Sequence, residues 1–473
     1  MNNDTVSACP TLTDTQARLE AARCLMCDDP PCVAACPAEV PVKHFIRALR
    51  FDNPRRAINL IRERNVLAGI CGLACPVDEL CVGACASTEL STPIAINQLQ
   101  HYAAQTELDS GRQPAAPRQS GHKVAVIGGG PSGLAAAAEL ARLGHLPTIF
   151  EKHQCAGGIC NYGVPSHRLP RELVAGEVEY IRNLGVEFKL GSTFGEQGTL
   201  DDLFADGFDA VYLACGLQQA IMPPMPGSQL DGVYNWKDIL DACSVAELDA
   251  GDPPIVAHNV IIVGGGSVAM DVATRVSELG ADEIDIVCLE APREMPADWD
   301  ELAEVWDLGA RFHTRSMPGE ITAKNGQVTG LKAVRIRWKE PDLFVPSNAE
   351  IIPGTEYWLP AEMVIFAIGA KPAAKLAEQL PGVDVDETGR IVVDAETGAT
   401  SRVGVYAGGD VAGHSPPFQG GVGGGSSAPR QGDDPPVVPP GRGDSWRGTI
   451  VLAVAEGKRA GGEIDAYLRG LNQ

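Results

Sequence analysis

The sequence predicts an α/β protein in two parts, an N-terminal α-helical, cysteine-rich module followed by two nested Rossmann-like dinucleotide-binding domains. Three observations carry this. Eight of the 14 cysteines lie between residues 24 and 85, in two tetrads. Two glycine fingerprints, VAVIGGGPSG and VIIVGGGSVA, each follow an apolar strand and open a helix. A late strand, EMVIFAIG, and the segment RIVVDAETGATSRVGVYAGGDV follow the second fingerprint, so one nucleotide domain is inserted into the other.

In chain order, residues 15–27 read as a helix that delivers Cys24 and Cys27 near its end. Val42, Phe45, Ile46 and Leu49 recur at helical spacing and form one apolar stripe. Asn53-Pro54 then caps and starts a helix carrying Ala57, Ile58, Leu60 and Ile61. Residues 1–107 thus form a small helical domain, too thin in core to stand alone without a metal staple. The polar, Pro- and Gly-containing stretch 107–121 is a linker. Residues 122–250 and 365–473 make up the first nucleotide domain, and 251–364 the inserted one. Residues 414–447 are rich in Gly and Pro and read as a long exposed insertion with little to bury.

The chain has 473 residues, a net charge of −23 and a pI near 4.8. Nucleic acid and anionic membranes require a basic surface, so neither is expected as a partner. The N-terminus has no signal-peptide pattern and no apolar run approaches the ~18 residues of a membrane span. A cytoplasmic protein is therefore expected, and its cysteines are better read as metal ligands than as disulfides.

The first tetrad is Cys24-x2-Cys27-x4-Cys32-x3-Cys36 closed by Pro37, and the second is Cys71-x3-Cys75-x5-Cys81-x3-Cys85. Such spacing lets a loop wrap thiolates around an iron–sulfur cluster, and the cysteine before proline often serves a neighbouring cluster. Zinc is the alternative, since Cys24-x-x-Cys27 is half a knuckle, although the other spacings do not complete one. Gly128-x-Gly130-x-x-Gly133 brings a backbone turn to a pyrophosphate, with Glu151 at the next strand end for the ribose. Gly264-x-Gly266-x-x-Ala269 repeats the plan with Glu290. That carboxylate either takes a free 2′-hydroxyl and repels a 2′-phosphate, or is an exposed strand-end residue. Cys160 lies five residues before Pro165, where a flavin disulfide reductase would have its second cysteine, so Cys155 and Cys160 read as incidental. His44, His101 and His167 sit in no metal or catalytic motif. No catalytic side chain is assigned, because hydride transfer between cofactors needs none.

The ordered run of tetrads, VAVIGGGPSG, GGICNYGVPSHRLP, VGGGSVAMD, REMPA and VYAGGDV resembles the family of the glutamate synthase small subunit and the N-terminal half of dihydropyrimidine dehydrogenase. The likeness covers residues ~15–413 and ~447–468. CPVDELCVGAC and PIAINQLQHYA look like the dihydropyrimidine dehydrogenase branch. Cys288-Leu289-Glu290, where glutamate synthase subunits carry Tyr-Arg-Arg, is similar to its NADH-linked, separate-subunit form. The resemblance implies FAD on Gly128, Gly130, Pro131, Ser132, Gly133, Glu151, Lys152, Gly158 and Arg168, with Gly409, Asp410 and Thr449 along the rest of it. It implies NAD(H), and less readily NADP(H), on Gly265, Gly266, Ser267, Val268, Glu290, Arg293, Ala367 and Gly369. It further implies two 4Fe–4S clusters. Cys24, Cys27, Cys32 and Cys85 would hold one; Cys36, Cys75, Cys81 and Gln100 the other, leaving Cys71 free. The competing schemes are an all-cysteine set and Gln100 as an ordinary helix residue. Electrons would pass to a partner subunit bearing FMN and iron–sulfur centres that reduces pyrimidines; the alternatives are the NADPH-oxidising small subunit of glutamate synthase, passing electrons to its glutamine-dependent large subunit, or a related NAD(P)H:acceptor flavoprotein.

Overall fold

A computed structural model describes residues 11–117, 121–195, 198–249, 251–341, 343–413 and 448–471. The expected insertion at 414–447 lies outside the described residues. The first helix, Asp14–Arg23, starts where Thr13 and Gln16 cap each other: Thr13 N–H donates to Gln16 Oε1 (2.9 Å) and Gln16 N–H to Thr13 Oγ1 (3.3 Å). It stops short of the expected 15–27 span. Cys24 is extended and Met26 takes a left-handed φ of 56°, so Cys24 and Cys27 are carried by a turning loop. Helix Val42–Arg50 buries Val42, Phe45, Ile46 and Leu49, the stripe read from the sequence. Asn53 Oδ1 accepts from Arg56 N–H (3.0 Å) and Pro54 opens helix Pro54–Arg62, as expected. Ala68–Ala74 and Ile96–Asp109 complete the module, crossing closely enough that a Cβ at Gly72 would sit 2.9 Å from His101 N.

The first nucleotide sheet is parallel and five-stranded, in the order Val405–Ala407, Ala210–Leu213, Lys123–Ile127, Leu146–Glu151, Glu187–Leu190. The second repeats the plan: Val233–Asn235, Met363–Phe366, Asn259–Val263, Glu283–Val287, Arg311–His313. Near-continuous burial along the central strands suits parallel sheets covered on both faces. An antiparallel meander, Ser316–Lys324, Gln327–Trp338, Ala349–Ile351 and Tyr357–Pro360, closes one side of the second domain.

The nesting is as predicted, but the strand pairing draws its limits elsewhere than residues 251 and 365. Val233–Asn235 pairs with Met363–Phe366 (Val364 opposite Val233), so both strands belong to the inserted sheet. The short pair Gln219–Ala220 with Ala370–Lys371 marks the two crossings between domains.

The helical module shares one apolar core with the first nucleotide domain, continuous from Ala17 through Leu134 and Val174 to Leu468. A buried ion cluster crosses the same boundary. Arg62 pairs with Glu107 (2.6 Å) and with Glu177 (3.3 Å) of helix Arg171–Asn183, and stacks 4.0 Å above the Tyr180 ring. Glu177 in turn accepts from the N–H groups of Gly69 (2.8 Å) and Ile70 (3.3 Å). The last helix, Ile450–Leu471, lies along Pro131–Arg142 so closely that a Cβ on Gly457 would come within 2.1 Å of Ser132 O. Among the described residues no helix is long and apolar enough to cross a membrane.

Candidate functional site

Cys24, Cys27, Cys32 and Cys85 line one cavity together with Val42, Lys43, Ile46, Ile94 and Ile96. Burial pushes the Cys24 thiol up and the Cys32 thiol to about 12, and the neighbouring cysteines Cys27 and Cys85 add to it. Cys36, Cys71, Cys75 and Cys81 form the second group. Burial raises Cys36 to about 11 although backbone N–H groups of Val40 and Ala38 point at its sulfur; Cys81 rises to about 12 through burial and then Cys36 and Cys32. Cys75 is pushed well up by its hydrogen bond with Cys71 and by burial.

These sulfurs fit a cationic iron–sulfur group. N–H donors aimed at a sulfur favour the thiolate, whereas desolvation and crowding oppose it, and metal coordination removes that conflict. Met26 and Glu39, with φ of 56° and 50°, bend the two loops that present Cys24, Cys27 and Cys36. Cys71, which the resemblance leaves free, stands beside Cys75. Gln100 is buried on the adjoining helix, its Nε2 donating to Ala68 O (2.8 Å).

At the first fingerprint, Gly128 takes φ 108° and donates to Phe150 O (2.8 Å). A Cβ on Gly133 would meet Gly128 O at 2.0 Å, so only glycine lets the helix come this close. Glu151 is buried; it accepts from Gly129 N–H (2.8 Å) and His153 N–H (2.9 Å), and so braces the turn. Pro131 opens the helix, and Ser132 Oγ lies 2.7 Å from the Tyr212 hydroxyl. Gly158, with φ 55°, approaches Gly130, and Lys152 bonds Gln218. Gly409 donates to Glu456 Oε2 (2.7 Å), and burial pushes Asp410 up. Gly409, Asp410 and Thr449 line a cavity of about 280 Å³.

At the second fingerprint Gly264, with φ 147°, donates to Val287 O (3.0 Å), and Gly266 caps helix Ser267–Glu278. Gly265, Gly266, Ser267, Val268, Glu290, Ala367 and Gly369 all line one cavity of about 970 Å³. Glu290 Oε2 sits over the turn, 2.9 Å from where a Cβ of Gly265 would be, and burial pushes its carboxyl up. It is therefore not the exposed strand-end residue of the bland alternative. Arg293 is exposed and does not line this cavity. Arg168 does line it, but both its guanidinium nitrogens are held by the inserted domain, on Asp271 (2.5 Å) and Glu301 (2.5 Å), instead of facing the first fingerprint.

The same cavity takes wall residues from all three units: Ala74, Pro76 and Glu79 beside Cys75, Ile159 and Thr449 from the first nucleotide domain, and the second fingerprint. Sequence reading missed Trp236, Met225, Asp271 and Asp298 on that wall, because no fingerprint contains them and only the folded chain assembles them. Cys160, read from the sequence as incidental, is buried in the short helix Ile159–Tyr162 within electrostatic reach of Cys71.

Residues 122–432 match the family described as pyridine nucleotide-disulphide oxidoreductase, and residues 2–112 match dihydropyrimidine dehydrogenase domain II, 4Fe-4S cluster. The NADP(+)-dependent formate dehydrogenase subunit beta of Moorella thermoacetica is 34% identical over 93% of this chain, which spans 60% of that subunit. The glutamate synthase [NADPH] small chain of Escherichia coli is 31% identical over 84% of this chain and 87% of its own length. The NAD-dependent dihydropyrimidine dehydrogenase subunit PreT of Escherichia coli is 30% identical over 98% of this chain and 96% of its own. These relatives are named as subunits or small chains of larger enzymes. Among solved structures, Mycobacterium tuberculosis FprA in complex with NADPH covers 75% of this chain and 86% of its own at TM-score 0.57 and 17% identity, a likeness of fold. With its glycine turns, its two cysteine groups and these matches, the chain belongs to the pyridine nucleotide-disulphide oxidoreductase family and is an NAD(P)H-dependent FAD/iron–sulfur oxidoreductase whose N-terminal module is the 4Fe–4S domain of the dihydropyrimidine dehydrogenase type.

Proposed function

We propose that this chain is the electron-input subunit of an NADH-linked dihydropyrimidine dehydrogenase. It oxidises NADH and delivers electrons through FAD and two 4Fe–4S clusters to a cytoplasmic partner subunit, which carries FMN and iron–sulfur centres and reduces uracil or thymine. The observation that supports this most is the shared cavity, where the helical module, the first nucleotide domain and the second fingerprint meet at one place. When bound, the nicotinamide, the flavin and the clusters supply hydride transfer and one-electron conduction.

The chain's own residues bind and orient. The Gly128–Gly133 turn and the N-terminus of helix Pro131–Arg142 cradle the FAD pyrophosphate, while Glu151 stiffens that turn and meets the ribose. Gly265, Gly266 and Ser267 do the same for the nicotinamide dinucleotide, with Glu290 on its ribose. Apolar wall residues Ile159, Met225, Trp236 and Leu240 exclude water from the space between the two rings. Cys24, Cys27, Cys32 and Cys85 hold the outer cluster. Cys36, Cys75 and Cys81, with Gln100, hold the inner one. Cys71 is the competing donor, given its bond to Cys75.

The PreT likeness spans nearly the whole of both chains, and Glu290 supports NADH over NADPH. The second reading, a glutamate synthase small chain, is supported by 31% identity to that relative over 84% of this chain. Co-purification with the native partner decides between them. NADH-driven reduction of uracil or thymine is expected. Glutamate formation from glutamine and 2-oxoglutarate, driven by NADPH, would overturn the proposal.

A further inference from the structure

We propose that the arginine-rich face of helices Val42–Arg50 and Pro54–Arg62 is the surface on which an acidic redox protein docks to take electrons beside the outer cysteine group. The proposal rests on the electron-input reading above. Residues 43–62 hold six Lys or Arg and a single acid, Asp52, in a chain of net charge −23. Arg47, Arg50, Arg55 and Arg56 are all exposed, and among the described residues none of the four is ion-paired.

Arg47 and Arg50 sit in the last turn of helix Val42–Arg50, where the helix dipole favours cations, but folding does not explain Arg55 and Arg56. Arg55 and Arg56 occupy the first turn of helix Pro54–Arg62, where the helix dipole disfavours cations and an acid would stabilise. Phe51, 70% exposed, stands between the two arginine pairs. An exposed aromatic flanked by arginines is the composition of an interface anchor.

The face also leads to the outer group. Lys43, Arg47 and Arg50 follow one another at i, i+4 and i+7 on the outward side of helix Val42–Arg50. The same helix lines the Cys24–Cys27–Cys32–Cys85 cavity through Val42, Lys43 and Ile46. Lys43 Nζ donates to Cys27 O (2.8 Å). Leu25, 47% exposed, lies between Cys24 and Cys27 and gives the outer group an apolar contact point. A strongly acidic chain repels acidic proteins at most orientations, so one basic face selects both partner and approach.

The test uses the full chain with its flavin and iron. The probe is rubredoxin, a small acidic one-electron iron protein whose visible colour bleaches on reduction, with NADH as donor. Menadione, an uncharged quinone, is the control acceptor. The variant is Arg55→Glu/Arg56→Glu, which places acids in the first turn of helix Pro54–Arg62, where the dipole favours them, and so does not unfold it. At low salt the variant is expected to lose about tenfold in kcat/KM for rubredoxin, with the difference vanishing at high salt, while menadione turnover and iron content hold. An unchanged rubredoxin rate with menadione turnover intact overturns the docking face and leaves the electron-input reading standing. If the wild type reduces neither acceptor with NADH or NADPH, that reading fails instead. If sedimentation shows that the variant splits a dimer, the face belongs to a second copy of the chain and the proposal is wrong.

Discussion

Glu151 and Glu290 stand over the two glycine turns, yet their surroundings differ. Glu151 is committed to backbone N–H groups on both oxygens, whereas Glu290 is pushed up by burial against the N–H groups of Glu290 and Leu289. Glu290→Gln keeps the shape and removes the charge. It should raise KM for NADH by about tenfold and lower KM for NADPH, the scale of one charge-assisted hydrogen bond. An unchanged ratio of the two coenzymes in menadione reduction would take Glu290 out of coenzyme choice. Asp298, on the wall of the same cavity, is raised to about 6 by burial, with Glu301 adding and Arg168 opposing. Above that pH it becomes anionic and repels the dinucleotide's phosphates. KM for NADH should therefore climb between pH 5 and 7, and Asp298→Asn, still a good helix cap, should flatten the climb. At the inner cysteine group, Cys71→Ala should keep full iron and Gln100→Ala should alter the cluster's reduction potential. Loss of half the iron in Cys71→Ala, with Gln100→Ala silent, would establish an all-cysteine site.

Among the elements, the Arg62–Glu107–Glu177 cluster adds to the shared apolar core in fastening the helical module to helix Arg171–Asn183. Arg62→Leu leaves two buried carboxylates facing each other, a loss of about 3–5 kcal/mol. It should appear as an earlier first transition in urea, with iron released alongside. This cluster was invisible in the sequence, because Arg62, Glu107 and Glu177 share no local pattern. The Val42–Arg50 stripe and both strand–turn–helix fingerprints were legible, since each is written within one or two helical turns. The edge strand Val233–Asn235 was not: three residues of mixed burial carry no periodicity, and only Met363–Phe366 recruits them to the inserted sheet. Arg168 was placed by resemblance on the flavin; tertiary packing instead brings it to Asp271 and Glu301. The grouping of eight cysteines into two sets likewise depends on the fold, which sends Cys85 back across the module to Cys24 and Cys32.

The molecule as a whole has cores that do not follow its cofactor count. Helical module and first nucleotide domain share one, the first nucleotide domain has a second around Ile127, Leu213 and Val405, and the inserted domain is built around two of its own. Calorimetry should accordingly show that chelating the iron lowers one transition and leaves the transition of the inserted domain in place; a uniform shift of all transitions would contradict this partition. The Gly457 contact on Ser132 has a consequence in time. The FAD turn emerges early from the ribosome, but the helix that backs it, Ile450–Leu471, is made after the entire inserted domain. At about 5–20 residues per second the delay is roughly 15–60 s. Throughout that interval the alanine-rich face of Pro131–Arg142 has no cover, so nascent chains should bind chaperones there. Chains arrested at Gly448 should take up no flavin, whatever the supply of cofactor.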